Sequence, residues 1–256
     1  PMKYAIFLLA AALAFACKTD KTDPPHSGSR METPKTQDPP NPAAGIPQSL
    51  STVLYAHGGM EAWQRQRTLS FRLPKGPVTE THTIDLRNRL DRIEAGAYSM
   101  GHDGTGTCVR NPDAAFEGNP DFYHNLFFYF HAMPFVLADP GIVYTDAPDL
   151  EYEGVSYPGL RITYRSGVGT SPEDEYFLHY DPADSRMAWL GYTVTYGKEG
   201  PSEDIHWIRY DDWAQVGGLL LPASISWYSC EGRQIKEIQN TMRFEEVRVS
   251  GQALPP

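Results

Sequence analysis

The second half of the chain consists of short segments in which apolar and polar residues alternate. Candidate strands recur roughly every 10 to 15 residues, at 151–155, 160–166, 175–180, 187–196, 205–213, 219–230 and 234–249. Asp-Pro, Gly-Gly and Glu-Gly pairs stand between them and are typical of turns. Strands at this spacing without intervening helices indicate an antiparallel meander rather than βαβ units.

The last of these segments changes phase near its end. Met242 and Phe244 fall on one face of a strand, whereas Val247 and Val249 lie one step out of register. A β-bulge at 245–246 would bring all four side chains to one face and would add curvature. Long, aromatic-rich strands therefore predict a mainly β, α+β domain built on a strongly curved antiparallel sheet or incomplete barrel.

The first half of the domain also favours strands, at 68–73, 78–86 and 90–96. Gly101-His102-Asp103-Gly104 has the composition of a hairpin turn, and it joins strand-like residues 98–100 and 107–109. Antiparallel strands joined by short turns are expected here as well.

Helices are predicted at two places. The first begins near Pro47, carries Leu50, Val53 and Leu54 on one face, and is interrupted by Gly-Gly at 58–59 before a short second turn at 60–63. The second covers 121–133, with Pro120 at its start and Asn119 as its cap. Its many aromatic residues, of which only Phe128 is expected to face outward, predict that it packs on the concave side of the sheet.

The N-terminal segment 2–17 has the pattern of a secretory signal. Lys3 precedes thirteen apolar residues, too few for a membrane-spanning helix, which needs about 20, and small Ala16 then stands before Cys17. This ending resembles the bacterial lipobox, which implies that Cys17 is the lipid-attachment residue. Residues 18–46 hold six prolines and no aromatic residue, which predicts a disordered, extended tether. The segment 47–251 is then a single folded domain.

The net charge of the chain and its predicted compartment restrict the kinds of partner that it can bind. Without Lys3 the mature chain has 21 basic and 32 acidic residues, a net charge of −11. Such a surface repels phosphate, so nucleic acid is excluded, and the lipid at Cys17 is left as the means of membrane attachment. The predicted location is the bacterial cell envelope, with Lys18 after the lipobox cysteine favouring the outer membrane. The protein partner stays unknown.

Two further cysteines, Cys108 and Cys230, lie in strand-like stretches far apart in the sequence. In an oxidising compartment they can form a disulfide, and the alternative is two separate buried thiols. The sequence leaves both open, because it does not give the distance between their Cα atoms.

Four motifs resemble a family of bacterial envelope proteins with the fold of the LolA/LolB lipoprotein-localisation carriers. They are Ala-His-Gly-Gly-Met-Glu-Ala-Trp at 56–63, followed by a basic pair, then the 101–104 turn, Pro-Phe-Val-Leu-Ala-Asp-Pro-Gly at 134–141, and Val-Gly-Gly-Leu-Leu-Leu-Pro at 216–222. The resemblance is to an uncharacterised branch. It implies an unclosed half-barrel of about eleven strands, capped by helices, with a hydrophobic cavity.

No residue is assigned a catalytic role. His57 has the position of a helix C-terminus before glycine, and 101–106 lacks the residues of a phosphate or calcium loop. Asp204 and His206 share a strand face and, with 211–212, are the best metal-ligand candidates, but solvated charges at a sheet edge explain them more simply. No metal and no cofactor are expected.

The aromatic residues are the better candidates for a binding site. Those expected to line an apolar interior are Trp63, Phe122, Phe127, Phe130, Trp189, Trp207 and Trp227. They can equally be ordinary core residues, and the sequence does not separate the two. The leading hypothesis is an envelope protein that holds an acyl chain or another apolar ligand. The alternatives are a non-catalytic module of an envelope complex, and a hydrolase or metal enzyme that uses His57 or His206.

Overall fold

The computed structural model describes residues 45–164, 173–195, 200 and 202–253. The signal segment, Cys17 and nearly all of the proline-rich tether lie outside the described residues. In the part that is described, no helix is long and apolar enough to cross a membrane.

Two antiparallel sheets make up most of the domain. The helices are α1 Gln48–Ala56, α2 Met60–Gln64, α3 Pro120–Tyr123 and α4 Leu126–His131, followed by a 3-10 helix Phe135–Ala138. A six-stranded sheet has the order β13-β1-β2-β3-β4-β5, and a seven-stranded sheet has the order β12-β11-β10-β9-β8-β7-β6. The strands are β1 Thr68–Lys75, β2 Val78–Asp85, β3 Asp91–Glu94, β4 Ser99–His102, β5 Thr107–Arg110, β6 Ile142–Tyr152, β7 Val155–Tyr164, β8 Tyr176–Tyr180, β9 Met187–Tyr192, β10 His206–Val216, β11 Leu219–Glu231, β12 Gln234–Arg243 and β13 Glu245–Ser250.

The fold class follows the sequence pattern. The domain is mainly β and unclosed, with few helices capping the curved sheets, so the prediction of a half-barrel is confirmed. The described residues form thirteen strands rather than the eleven that the resemblance implied.

The main core lies between the helices and one face of each sheet. Trp63 of α2 stacks on Phe135 with ring centroids 4.8 Å apart. The hydroxyl of Tyr210, on β10, donates to the carbonyl of Phe130 at 2.9 Å, so a buried side chain of the sheet fixes the backbone of α4. Stacking thus joins two helical segments, and a hydrogen bond shielded from water attaches α4 to the seven-stranded sheet.

The prediction of a bulge at 245–246 agrees with a shift of register in the β1–β13 pairing, between the pairs Ser70–Arg248 and Arg72–Glu245, and the chain also passes from one sheet to the other here. β12 ends at Arg243 in the seven-stranded sheet, and β13 begins at Glu245 and pairs with β1 of the six-stranded sheet. Between them Phe244 is buried, its amide donates to the carbonyl of Ala223 at 2.8 Å, and Glu246 has φ +49°. The change of phase in the sequence therefore records a change of partner strand.

The start of the seven-stranded sheet differs from the prediction. Residues 151–155 were predicted as one strand, but 151–152 end β6, Val155 begins β7, and Glu153 and Gly154, both with positive φ, form the turn between them. Strand β6 itself was missed, because only Leu150 along it is buried and its sequence has no clear apolar alternation.

The predicted helix 121–133 is two short helices separated by 124–125. The Asn119 side chain caps α3 as expected, accepting from the amides of Asp121 and Phe122 at 2.9 and 3.3 Å. Phe128, expected to face outward, is 2% exposed and lies under the Arg89 guanidinium, 4.9 Å from its ring centroid. The aromatic segment is buried on more sides than a single amphipathic helix would be.

Candidate functional site

A cavity of about 250 Å³ lies between the aromatic helices and the seven-stranded sheet. Its lining consists of aromatic and aliphatic side chains with three carboxylates: Asp121, Phe122, Asn125, Leu126, Tyr129, Phe130, Met133, Asp139, Pro140, Tyr164, Asp174, Tyr176, Tyr192, Thr193 and Val194. An apolar cavity of 150 Å³ is enough for benzene, and pockets for drug-sized ligands begin near 300 Å³. The space therefore suits one short apolar chain.

One wall comes from the capped turn of α3 and from α4, and the opposite wall comes from three neighbouring strands. Tyr176 on β8 is directly opposite Tyr192 on β9 and Ile162 on β7. Tyr164, two residues beyond Ile162, points to the same side of the sheet and meets Tyr176 edge to face at 5.9 Å. The strand register thus gathers tyrosines at one wall.

Two of the seven aromatic candidates, Phe122 and Phe130, line the cavity. Trp227 does not line the cavity but contacts two residues that do. Its ring lies 5.8 Å from that of Phe130, and its Nε1 donates to the Tyr192 hydroxyl at 3.0 Å. Trp63 and Phe127 belong to the main core and do not line the cavity.

Trp189 and Trp207 lie on the opposite face of the seven-stranded sheet. Both are fully buried in a separate cluster with Leu150, Tyr157 and Phe177. Side chains alternate between the two faces of a strand, so Trp189 and its neighbour Leu190 point in opposite directions, and Leu190 is the one in the main core. Aromatic content did not reveal this division, because both faces are apolar.

Sequence reasoning missed the tyrosines Tyr129, Tyr164, Tyr176 and Tyr192. Tyr129 lies on α4, whereas the other three are brought to one wall only by the strand register, which pairs Tyr176 with Tyr192, 16 residues away in the sequence. Burial first, and then the nearby Tyr129 and Asp139, raise the pKa of Tyr164 above its usual range. The phenols are therefore neutral hydroxyl groups at physiological pH.

The carboxylates at the cavity have defined partners. Nη2 of Arg89 donates to both oxygens of Asp139 at 2.8 Å. Asp174 accepts from the amide and the hydroxyl of Thr195 at 2.6 and 2.7 Å. Asp121 is exposed in the first turn of α3.

His57 has a structural role. It is the C-cap of α1 and is fully buried; its Nδ1 is 3.0 Å from the carbonyl of Leu220, and its Nε2 accepts from the amide of Met187 at 3.0 Å. Burial, opposed by the bond to Leu220, lowers the pKa of His57 to about 4. A neutral ring with both nitrogens bound to backbone has no nitrogen left for a substrate.

The same contact joins two of the sequence motifs. The amide of Leu220 donates to the carbonyl of His57 at 2.9 Å, and Gly58 lies against the carbonyl of Gly218. The His-Gly-Gly segment and the Val-Gly-Gly-Leu segment are therefore two sides of one junction between α1 and the β10–β11 turn.

The other histidine and acidic candidates are dispersed. Asp103 accepts from the amides of Thr105 and Gly106 at 2.8 and 3.0 Å, so the 101–106 segment is a self-bonded turn, as predicted. His206 and Asp204 are exposed and 3.9 Å apart. Within the described ranges, no three His, Cys, Asp or Glu side chains are grouped as metal ligands are.

A buried carboxylate lies outside the cavity, at Glu80 on β2. It accepts from the hydroxyls of Tyr98 and Tyr123, and Lys75 lies 3.3 Å away with His82 at 2.9 Å. Burial alone would raise the pKa of Glu80, but the bonds from His82 and Tyr98 and the charge of Lys75 lower it to about 2. The network fastens α3, through Tyr123, to the six-stranded sheet.

The two cysteines of the domain are free thiols in different sheets. Cys108 is exposed on the edge strand β5, and Cys230 is half-buried on β11, where its Sγ lies 3.3 Å from the carbonyl of Ile205. The structure contains no bond between them, and it also differs from the alternative of two buried thiols, since Cys108 is exposed.

Among the known proteins compared with this chain, only solved structures are similar to it. No family model and no curated protein matches the chain. A DUF1329 family protein from Desulfovibrio piger is 7% identical, with a TM-score of 0.43, 78% of this chain covered and 91% of the other. A LolA superfamily protein from Nitrosomonas europaea is 9% identical, with a TM-score of 0.44 and coverage of 74% and 86%. A putative outer membrane lipoprotein-sorting protein domain from Vibrio parahaemolyticus is 10% identical, with a TM-score of 0.34 and coverage of 74% and 89%.

Two of these proteins are named as a LolA superfamily protein and as a lipoprotein-sorting protein domain, and the four sequence motifs resemble proteins of this kind. With TM-scores below 0.5 and identities of 10% or less, these likenesses do not decide the function, which is argued from the geometry of the site.

Proposed function

We propose that this domain binds a single apolar chain in the cavity between α3, α4 and the seven-stranded sheet, as a lipid-anchored protein of the bacterial cell envelope. The observation that carries the proposal is the cavity itself, about 250 Å³ and walled by Phe122, Leu126, Phe130, Met133 and Val194. When an apolar ligand covers this surface and removes it from water, the free energy of binding becomes more favourable by about 25 cal/mol per Å² of apolar surface buried.

The envelope location and the lipid at Cys17 are supported by the sequence. The signal-like segment ends in Ala-Cys, and the proline-rich residues that follow would hold the domain near the membrane. A domain tethered in this way is close to membrane lipids, which are the nearest source of apolar chains.

The test is to fill the cavity. We expect Val194→Trp, which places an indole in the cavity, to reduce binding of the uncharged dye N-phenyl-1-naphthylamine at least about tenfold, because the dye and the indole compete for one space. The matched control is Val155→Trp on the 37% exposed side chain of Val155 at the start of β7, which should leave binding unchanged.

Dye titration by fluorescence and native mass spectrometry of gently purified protein give the two measurements. A co-purifying lipid that is lost in Val194→Trp and kept in Val155→Trp supports the proposal. Wild-type protein that binds neither dye nor lipid, or two variants that bind equally, would contradict it. Circular dichroism of both variants verifies that they are folded.

A further inference from the structure

The cavity has an uneven distribution of polar groups. Its aliphatic and phenylalanine residues come largely from the helices, whereas four tyrosines contribute hydroxyl groups, three of them on β7, β8 and β9. Tyr192 Oη accepts from Trp227 Nε1, which leaves the Tyr192 hydroxyl proton able to donate. The phenols can therefore donate to, or accept from, an uncharged polar group of a ligand.

Among the described residues, no cationic side chain lines the cavity to pair with an anion. In the ranges 45–164, 173–195 and 202–253, no Lys or Arg side chain lines it, whereas Asp121, Asp139 and Asp174 do. The guanidinium of Arg89, which contacts the lining residue Asp139, is bound to both oxygens of that carboxylate and lies over the ring of Phe128. A ligand carboxylate would lose its water and meet carboxylates rather than cations.

From this arrangement we infer that the ligand is a single-chain amphiphile whose head is uncharged and forms hydrogen bonds, such as a hydroxyl, ester or amide, and that the tyrosine wall receives this head. The inference rests on the proposed function and names its ligand class. An ester or hydroxyl pays a smaller desolvation cost than an ion, and the tyrosine hydroxyls replace the hydrogen bonds that it gives up in water.

Three ligands with the same chain separate the possibilities: monooctanoylglycerol, octanoate and octyltrimethylammonium, each used to displace N-phenyl-1-naphthylamine from the full chain at pH 7.5. We expect the uncharged glyceride to bind at least about tenfold more tightly than octanoate. Equal or tighter binding of octanoate overturns the inference, and so does tighter binding of the ammonium compound.

Substitutions locate the head. Tyr164→Phe and Tyr176→Phe should each weaken glyceride binding about three- to tenfold more than they weaken dye binding, since each removes one hydroxyl and keeps the ring. The control is Tyr55→Phe, whose side chain is 84% exposed on α1. Unchanged glyceride binding in both cavity variants would place the head elsewhere and overturn the inference.

The two proposals fail differently. If the wild-type protein binds neither the dye nor any of the three amphiphiles, the binding function itself is contradicted. Dye binding that is sensitive to Val194→Trp, together with no preference for the uncharged head, leaves the function in place and removes only the ligand class.

Discussion

Gly58 and Gly59 form a matched pair from which the strength of the α1 junction can be measured. Both have positive φ, +103° and +83°, so alanine strains the backbone at either position by about 2 kcal/mol. They differ in the space around them. A Cβ on Gly59 meets nothing within 4 Å, whereas a Cβ on Gly58 would stand 2.4 Å from the carbonyl oxygen of Gly218.

The clash at Gly58 involves backbone on both sides and has no flexible side chain to relieve it. Moving the 217–220 turn away disturbs the hydrogen bonds between His57 and Leu220, formed by the backbone at 2.9 Å and by the imidazole at 3.0 Å. Each such bond has a net value of about 1 kcal/mol. We therefore expect Gly58→Ala to lower the free energy of unfolding by about 4 kcal/mol, the sum of the strain and the two hydrogen bonds, and Gly59→Ala to lower it by about 2 kcal/mol, from strain alone.

Urea denaturation followed by tryptophan fluorescence measures both values, and thermal unfolding repeats the comparison. At this domain size, 1 kcal/mol corresponds to about 2–4 °C in Tm, so Gly58→Ala should unfold about 8–16 °C below the wild-type protein and Gly59→Ala about 4–8 °C below it. Equal shifts in the two variants would show that the close approach of Gly58 to Gly218 does not constrain the fold.

Two further outcomes follow from buried titratable groups. The pKa values of His57, His131 and His179 are lowered by burial to about 4, 3 and 4, so the unfolded chain binds more protons, and stability should fall from pH 6 to pH 5 by up to about 1.4 kcal/mol per unit for each histidine. His131→Phe should remove about a third of that slope in urea titrations at several pH values, and an unchanged slope would refute the assignment. Glu80→Gln should cost about 3–5 kcal/mol at pH 7, because it leaves buried donors without their carboxylate, whereas Glu94→Gln, in an exposed 3.3 Å pair with Arg92, should cost less than 1 kcal/mol by the same assay. Similar costs for these two glutamate variants would contradict the importance of the buried network.

Much of the architecture could be predicted from local patterns. Strands β1, β2 and the β4–β5 hairpin follow from alternation and turn residues, and the Asn119-Pro120 start of α3 follows from capping chemistry. Strand β6 could not be predicted, because a strand with one buried residue, Leu150, has no apolar period to read.

The site could be predicted only in part, because it depends on relations between distant residues. Phe122 and Phe130 were found through the aromatic helix, whereas Tyr164, Tyr176 and Tyr192 reach the cavity through strand register. Register is set by pairing across the sheet and by the buried face of each strand, and a local window contains neither.

The pairing of β1 with β13 has a consequence for how the chain acquires its structure. Thr68 is opposite Ser250, and the amide of Arg67 donates to the carbonyl of Ser250 at 2.7 Å, so one of the first strands is completed by the last. Contacts across such a long separation are slow to form, since the entropy of closing the loop is lost before they stabilise it. Because a chain is synthesised from its N-terminus, the edge of β1 that pairs with β13 stays unpaired until the last strand has been made. During synthesis, that unpaired edge would expose the chain to self-association through strand pairing.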